Sequence, residues 1–298
     1  MNIKDLTTEQ RNPKSLHIDS ATPLEIVKII NQEDKKIADA VGTQDKEIAK
    51  AIEDASKRYR EGGRLIYVGA GTSGRLGILD AVELVPTYRI NPERAIGLIA
   101  GGQSAMFRAV EGAEDDPKLG EKDLKDLKLN EKDIVIGLAA SGRTPYVIGC
   151  LKYANQVKAL TISIACVKKS EIGKYADIVI EAVVGPEVIT GSTRMKAGTA
   201  QKMILNMIST GVMIKQGKVY ENVMVDVMPT NSKLVDRACR IIEVATGVSE
   251  SVASDTLEKA DMNVAVAITM LKTGVDKEKA MDILKECNGN ISSVVNNY

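Results

Sequence analysis

Residues 64–74 read Arg64-Leu-Ile-Tyr-Val-Gly-Ala-Gly-Thr-Ser-Gly74, an apolar run followed directly by a glycine-rich turn. A short run of aliphatic and aromatic residues predicts a strand that is buried on both faces. A helical pattern of apolar residues follows from about Arg75 to Leu84. Strand, glycine turn and helix in this order predict the first unit of a parallel α/β sheet.

Four further apolar runs continue the alternation of strands and helices, and a long helical pattern from about residue 199 to 216 closes it. The sequence therefore predicts a doubly wound α/β domain with a parallel five-stranded sheet. The four runs are residues 95–100, 133–139, 160–165 and 178–183.

Helical patterns lie on both sides of the predicted sheet in the sequence. A polar arm over residues 1–20 leads into a predicted helical segment from Pro23 to about Arg60, with Thr22 as its N-cap, so N-terminal helices are expected beside the sheet. After Pro229, short amphipathic segments separated by glycines predict a small helical bundle. The predicted domains are an N-terminal arm and helix (1–50), the α/β domain (51–225) and a C-terminal helical domain (226–298).

The composition excludes several classes of function. The 298 residues carry 40 basic and 40 acidic side chains, whereas a general nucleic-acid binder needs a surplus of cations. The single histidine, His17, excludes histidine triads and multi-histidine metal sites within one chain. Four scattered cysteines are typical of a reduced cytoplasmic protein. Without a signal-peptide core or a membrane-length apolar run, we expect a soluble cytoplasmic protein that does not contact membranes.

The first glycine turn, residues 69–74, fits the G-x-G-x-x-G pattern of dinucleotide-binding folds. Two features disfavour that interpretation. The next predicted strand ends in Ala-Gly-Gly at residues 100–102, where an acid for the ribose is expected. The turn also contains two hydroxyls, Thr72 and Ser73, which suit a terminal phosphate. The sequence favours a phosphate monoester site.

A second turn of this kind, residues 141–144 (Ser-Gly-Arg-Thr), follows another predicted strand and precedes Pro145. Free backbone N–H groups at a helix start, together with Ser and Thr hydroxyls, form an anion site. Open α/β sheets bind ligands where their strands end, so the two turns together predict a phosphate site. A third stretch, residues 190–199, is either a substrate-facing loop or a capped connection with solvated Arg194 and Lys196.

Acid–base chemistry near neutral pH has to come from a carboxylate, Lys, Tyr or Cys with a shifted pKa, because the chain has one histidine. Glu83 follows the first turn on its predicted helix, and its apolar flanks favour a buried carboxyl. Glu114 lies in an acidic turn just past a predicted helix over residues 104–110. Glutamates at such positions are usually solvated, so spacing alone leaves both roles open.

These motifs together resemble the N-acetylmuramic acid 6-phosphate etherase family of sugar isomerase (SIS) domain proteins. The resemblance covers essentially the whole chain, including the opening residues 8–13 (Thr-Glu-Gln-Arg-Asn-Pro). It departs at Leu84-Val85, where the family often has Cys-Pro. The other matching segments are residues 69–77, 111–115, 139–146 and 191–202.

The resemblance implies an SIS-type fold and a lyase that removes the D-lactyl ether of N-acetylmuramic acid 6-phosphate during recycling of cell-wall sugars. It implies no metal and no organic cofactor, and it implies a homodimer whose subunits share the active site. Glu83 would protonate the leaving group, and Glu114 would be the second acid/base. The implied substrate-binding residues are Thr72, Ser73, Gly74, Ser141, Gly142, Thr144, Thr193 and Lys196.

Two other functions use the same phosphate turns and stay open on the sequence. One is an SIS-type aldose–ketose isomerase, and the other is a non-catalytic sugar-phosphate-binding regulator. Release of lactate from the sugar phosphate distinguishes an etherase from both.

Overall fold

The computed structural model describes residues 7–227, 229 and 231–297. Within these residues, five strands form one parallel sheet in the spatial order β2-β1-β3-β4-β5. The predicted doubly wound, five-stranded α/β fold is confirmed. The strands are β1 (Leu65–Gly69), β2 (Ala95–Ile99), β3 (Ile134–Leu138), β4 (Leu160–Ala165) and β5 (Ile178–Glu181).

The sheet is covered by helices on both faces, as its unbroken apolar strands predict. Every residue of β1, β3 and β4 is buried, whereas the edge strands β2 and β5 are partly exposed. Ile66 and Val68 pack in one apolar cluster with Val147 and Leu151. Tyr67 contacts Gly77, and successive side chains of a strand point to opposite faces. Helices therefore pack on each side of β1.

Four helices connect or follow these strands. Two of them begin with proline, at Pro117 and Pro145, where the missing N–H costs nothing. The helix expected over residues 104–110 is wrong, because only a 3₁₀ turn at Gln103–Met106 forms there. The helices are α4 (Gly71–Tyr88), α5 (Pro117–Asp126), α6 (Pro145–Gln156) and α7 (Lys196–Lys215).

The segment from residue 23 to about 60 is helical, as predicted, and it is divided into three helices. Thr22 caps the first helix in a reciprocal capping box with Glu25, as predicted. The Thr43 hydroxyl donates to the Ala40 carbonyl and helps to end the second helix. The three helices are α1 (Pro23–Asp34), α2 (Ile37–Gly42) and α3 (Asp45–Arg60).

The C-terminal residues form the predicted small helical bundle. Gly247 and Gly274 end two of its helices with φ of 78° and 74°, a left-handed conformation that favours glycine. Ile242, Ile268 and Ile283 lie in its own apolar core. The elements are a β6 (Val219–Tyr220) and β7 (Val223–Met224) hairpin, α8 (Ser232–Thr246), α9 (Glu250–Lys259), α10 (Val264–Thr273), α11 (Lys277–Glu286) and α12 (Ile291–Asn297).

The chain divides into two compact units. One comprises residues 1–82 and 92–209, and the other comprises residues 83–91 and 210–298. The sheet and its covering helices belong to the first unit, and the helical bundle belongs to the second. The predicted domain limits at residues 50 and 225 stay a prediction.

The strand order reverses between β1 and β3, which are neighbours in the sheet but not in the sequence. Such a switch point opens a crevice at the carboxyl edge of a parallel sheet, where ligands bind. Gly69 pairs with Leu138 in the register of these two strands. The turns that follow β1 and β3 therefore start side by side.

Candidate functional site

The first glycine turn joins β1 directly to α4. Gly71 opens the helix with φ of 52°, a backbone conformation suited to glycine. A Cβ on Gly74 would lie 2.6 Å from Ile99 Cγ1 and 2.8 Å from the Gly69 carbonyl oxygen. Glycine at position 74 therefore lets α4 pack tightly against the strands. Its N–H donates to the Ala70 carbonyl at 3.2 Å, so Gly74 serves the site through packing.

The two hydroxyls of this turn meet the start of α7. Ser73 is 8% exposed, and its hydroxyl donates to Gln201 Oε1 at 2.9 Å. A Cβ on Gly198 would lie 3.4 Å from the Thr72 methyl group. Thr72 is only partly buried. The structure thus brings both predicted phosphate ligands of the first turn against the first two turns of α7.

A buried carboxylate holds α4 and α7 together about two helical turns further along α4. Asp80 Oδ1 accepts hydrogen bonds from Asn206 Nδ2 at 2.9 Å and from Ser209 Oγ at 3.1 Å. Burial raises the pKa of Asp80, while hydrogen bonds from Tyr67, Ser209 and Asn206 oppose that rise. This pairing fixes the helix that carries the first turn.

The second turn lies next to the first, at the end of β3. Gly142 has φ of 69°, and its N–H donates to the Ala139 carbonyl at 2.9 Å. Ser141 and Thr144 are partly buried. Thr144 precedes Pro145 at the start of α6, and in the described structure its side chain does not cap that helix. Its hydroxyl is therefore not used for capping, and the first-turn N–H groups of α6 lie beside it.

A cavity of about 180 Å³ opens beside the first turn. Its lining includes Glu111 and Glu114 together with Gly71 and Arg75. Both glutamates are exposed side chains. The structure thus places one predicted catalytic glutamate in a cavity that Gly71 of the first turn also lines, whereas the hydroxyl residues Thr72 and Ser73 are not part of its lining. The complete lining is Ala70, Gly71, Arg75, Ala100, Ala105, Ala109, Val110, Glu111, Gly112 and Glu114.

Arg75 is a site residue that the sequence reasoning did not single out. Its guanidinium donates to the Ala105 carbonyl at 2.8 Å and to the Met106 carbonyl at 2.9 Å. It thereby fixes the 3₁₀ turn at one rim of the cavity and places a positive charge in the cavity wall. Its position one residue after the glycine pattern, in the first turns of α4, was the available signal.

Glu83 lies on the part of α4 that belongs to the second compact unit. It is exposed in the single chain, as is its neighbour Val82, whereas Leu84 is buried. The expectation of a carboxyl buried by its apolar flanks is therefore wrong for the single chain. The apolar residues beside Glu83 did not indicate burial of its carboxyl, because Val82 is itself exposed.

The third predicted stretch forms the connection into α7. Thr193 is partly buried, and its carbonyl accepts the Gly198 N–H at 2.9 Å. Lys196 is 1% exposed, so the interpretation of Lys196 as a solvated cation is wrong. Arg194 is exposed, as that interpretation predicted. Glu187 caps α7 by accepting the backbone N–H groups of Lys196 at 3.0 Å and Ala197 at 2.9 Å.

The Lys196 ammonium donates to Glu33 Oε2 at 2.8 Å. The same carboxylate accepts from Lys36 Nζ at 2.5 Å and from Asn12 Nδ2 at 2.9 Å. Burial alone would raise the pKa of Glu33, but the hydrogen bonds from Lys196, Lys36 and Asn12 outweigh it and lower the pKa to about 2. We name Asn12, Glu33 and Lys196 the arm cluster.

The N-terminal arm reaches the connection into α7 through this cluster and through its backbone. Asn12 also donates to the Pro186 carbonyl at 3.2 Å, and Ser15 donates to the Val188 carbonyl at 2.7 Å. The Gly191 N–H donates to the Thr8 carbonyl at 3.2 Å. The loop that precedes α7 therefore holds the N-terminal arm in place, and the motif at residues 8–13 of the arm has a structural role.

In the described part of the chain, no three His, Cys, Asp or Glu side chains gather in a way that could hold a metal ion. Over the same residues, no helix is both long enough and apolar enough to traverse a lipid bilayer. The absence of a metal or an organic cofactor stays a prediction.

Comparison with known proteins agrees with the fold and the turns. Residues 47–155 match the model of the glucokinase regulatory protein N-terminal SIS domain, and residues 120–210 match that of the SIS domain. An N-acetylmuramic acid 6-phosphate etherase of Lactobacillus johnsonii is 99% identical over 298 residues, which are 100% of both chains. The chain belongs to the N-acetylmuramic acid 6-phosphate etherase family.

This etherase family membership extends over nearly the full length at lower identity. An etherase of Enterococcus faecalis is 54% identical over 295 residues, covering 99% of this chain and 98% of that one. The predicted resemblance is confirmed. Among solved structures, a phosphoheptose isomerase from Francisella tularensis has a TM-score of 0.51 at 16% identity, covering 65% of this chain and 100% of that chain. At that identity the likeness supports the SIS-type fold alone.

Proposed function

We propose that this chain is a carbon–oxygen lyase that cleaves the D-lactyl ether of N-acetylmuramic acid 6-phosphate. The products are N-acetylglucosamine 6-phosphate and D-lactate, formed during recycling of cell-wall sugars. The observation that carries the proposal is the family membership, with 99% identity over the whole chain to a protein named for this etherase activity.

The 6-phosphate is bound by the two turns at the carboxyl edge of the sheet. Thr72 and Ser73 supply hydroxyls from the first turn, and Ser141 and Thr144 supply them from the second. Backbone N–H groups at the starts of α4 and α6 add donors and a favourable helix dipole. The adjacent starts of these turns support this assignment, since Gly69 and Leu138 are register partners.

The other proposed binding residues act by shaping the same turns. Gly74 and Gly142 allow the close packing and the positive φ described above. Thr193 belongs to the connection into α7, where its carbonyl accepts the N–H of Gly198, the residue next to Thr72. Lys196 contributes through Glu33, because its ammonium is bonded to that buried carboxylate. It holds the start of α7 in place, and we do not assign it a direct bond to the phosphate.

The proposed reaction is an elimination followed by hydration. Opening of the sugar ring exposes an aldehyde at C1, which makes the C2 proton acidic. A carboxylate removes that proton, the C3–O bond breaks, and the departing lactate oxygen takes a proton from a carboxylic acid. Water then adds to C3 of the unsaturated aldehyde and restores a hydroxyl. Atoms balance with one water consumed for each lactate released.

Two glutamates carry the proton transfers in this proposal. Glu83 protonates the leaving oxygen, and Glu114 is the second acid/base. The place of Glu114 in the cavity next to Gly71 supports its role, because a phosphate held at that turn puts the sugar within the same cavity. Arg75 in the cavity wall adds a cation near the developing negative charge. No metal or organic cofactor takes part.

We propose further that two copies of the chain form a homodimer with a shared site. SIS proteins commonly pair, and α4 offers an apolar surface for a second copy. Leu79 and Val82, one helical turn apart, are 48% and 60% exposed. Contiguous exposed apolar surface is the kind that a protein interface covers. The cytoplasmic location stays a prediction.

Incubation of the purified protein with N-acetylmuramic acid 6-phosphate tests the proposed function. We expect D-lactate and N-acetylglucosamine 6-phosphate in equal amounts, with lactate followed by a D-lactate dehydrogenase assay. Interconversion of aldose and ketose phosphates without lactate would instead identify an isomerase. Tight binding of the sugar phosphate without any product would identify a regulator.

A further inference from the structure

Gln201 lies in the second turn of α7 and is fully buried. Its Oε1 atom accepts the Ser73 hydroxyl at 2.9 Å. Its Nε2 atom is buried too, and it has no hydrogen-bond partner in the described part of the chain. A buried amide donor without a partner is costly. Its place beside a binding turn points to a second state in which the amide nitrogen has a partner.

The number of hydrogen bonds that the Ser73 hydroxyl can donate defines that second state. A serine hydroxyl has one proton to donate and two lone pairs that accept. While its proton points to Gln201 Oε1, Ser73 cannot donate to a phosphate oxygen. Rotation of the carboxamide by 180° exchanges Oε1 and Nε2 within nearly the same volume. Nε2 then donates to a Ser73 lone pair, and the hydroxyl proton is free for the phosphate.

We propose that Gln201 is a positioning residue for the phosphate site and that its carboxamide reverses when a phosphate monoester binds. The inference rests on the proposed function, because it takes the first turn as the phosphate site. In the empty state, the amide holds Ser73 by accepting its proton. In the bound state, the amide donates to Ser73, and Ser73 donates to the phosphate. The reversal keeps the hydrogen bond between the two side chains and adds a charge-assisted bond from Ser73 to the phosphate. It leaves the carbonyl oxygen Oε1, in place of Nε2, without a described partner.

The burial of Ser73 and Gln201 strengthens the hydrogen bond from Ser73 to the phosphate. Ser73 is 8% exposed and Gln201 is fully buried, so little water competes with the phosphate for the hydroxyl. Hydrogen bonds to charged groups are stronger than neutral ones, and losing one weakens binding about 10-fold to 100-fold. Gln201 therefore sets phosphate affinity without touching the ligand.

Two substitutions separate the two roles of the amide. Gln201→Glu keeps the shape but makes the partner of Ser73 an acceptor, which retains the hydroxyl proton. Gln201→Met keeps the length and removes both the donor and the acceptor. Gln156→Glu is the matched control, because it adds the same charge at an exposed position at the end of α6.

The experiment is calorimetric titration of the full chain and its variants with N-acetylglucosamine 6-phosphate and with unphosphorylated N-acetylglucosamine. We expect Gln201→Glu to weaken binding of the phosphate ester about 10-fold or more, Gln201→Met to weaken it several-fold, and Gln156→Glu to change it less than twofold. In a Ser73→Ala background, both Gln201 variants should have no further effect. That loss of effect is the readout that a general packing defect would not produce.

The outcomes are distinct. If wild type binds the phosphate ester and Gln201→Glu binds equally well, the positioning role is overturned. It is also overturned if either variant weakens the Ser73→Ala protein as much as it weakens wild type. If wild type does not bind the ester at all, the proposed phosphate site itself is overturned, and this inference with it. Should Gln201→Glu fold poorly, the uncharged Gln201→Met carries the same test.

Discussion

Lys196 Nζ and Glu33 Oε2 lie 2.8 Å apart, and their side chains are 1% and 3% exposed. The two residues are 163 positions apart in the sequence. Their ion pair joins α1 to the start of α7, and Asn12 of the N-terminal arm bonds to the same carboxylate. The arm cluster therefore holds the helix whose first turns pack against Thr72 and Ser73.

Breaking this pair from one side should strongly destabilise the protein. Lys196→Met leaves the Glu33 carboxylate buried without its main partner, and we expect a loss of about 3–5 kcal/mol in the free energy of unfolding. Urea denaturation followed by circular dichroism measures it. Lys14→Met is the control, because Lys14 Nζ is 3.9 Å from Glu33 and 62% exposed. It should cost at most about 1 kcal/mol, and equal losses in the two variants would show that the buried pair has no special weight.

The arm cluster also predicts a dependence of stability on acid. Against the opposing effect of burial, hydrogen bonds from Lys196, Lys36 and Asn12 lower the pKa of Glu33 to about 2, below the ordinary 4.5 of a glutamate. A depressed carboxyl pKa stabilises the fold fully above pH 4.5, and this contribution is lost as the pH falls towards 2. Its size is on the order of 3 kcal/mol.

Urea midpoints between pH 5 and pH 2 test this dependence. Gln at position 33 cannot titrate, so Glu33→Gln should be less stable at pH 5 and should lose less stability on acidification than wild type does. Glu61→Gln, an exposed glutamate at the end of α3, should follow the wild-type curve. The same acid slope in wild type and Glu33→Gln would assign the effect to other groups.

The glycine at position 74 should be intolerant of a methyl group. Gly74→Ala would put Cβ 2.6 Å from Ile99 Cγ1 and 2.8 Å from a carbonyl oxygen, which forces α4 away from the sheet. We expect a loss of about 1–3 kcal/mol, with a lower melting temperature. Gly42→Ala is the control, since a Cβ at position 42 would have no described atom within 4 Å apart from its chain neighbours and its own helix backbone. A neutral Gly74→Ala would contradict the close packing of the first turn.

The parts of the fold that could be predicted are those that depend on the residue types within one short, continuous segment. Residues 134–138, Ile-Val-Ile-Gly-Leu, contain no polar side chain, which favours a strand buried on both faces of a parallel sheet. Helix ends at Thr22 and Gly247 could be predicted for the same reason, because caps depend on a few neighbouring residues. The breaks within residues 23–60 were missed, since the apolar spacing continues through them.

The parts that could not be predicted depend on partners far apart in the sequence. The Lys196 charge looked solvated because its partner, Glu33, stands in another helix. The buried bond between Ser73 and Gln201 spans 128 positions in the same way. Glu83 was expected to be buried because its neighbours are apolar, yet burial depends on which side of α4 packs. Local sequence patterns therefore predicted where the turns lie, but not the distant side chains that hold the turns in place.

The acid–base role of Glu114 predicts a large loss of turnover without a loss of fold. Glu114→Gln should lower kcat about 100-fold or more, because an amide cannot exchange the proton. Lactate release at saturating substrate measures it. Asp115→Asn, the exposed neighbour in the same 3₁₀ turn, should keep kcat within about threefold. An unchanged rate for Glu114→Gln would remove that residue from the mechanism.

The most direct test of the central claim is the fate of water oxygen during turnover. The protein is incubated with N-acetylmuramic acid 6-phosphate in heavy-oxygen water, and both products are analysed by mass spectrometry. Elimination and hydration predict one heavy oxygen at C3 of N-acetylglucosamine 6-phosphate and none in the hydroxyl of D-lactate. Heavy oxygen in the lactate hydroxyl, with an unlabelled sugar, would mean that the bond on the lactyl side breaks and would contradict the mechanism.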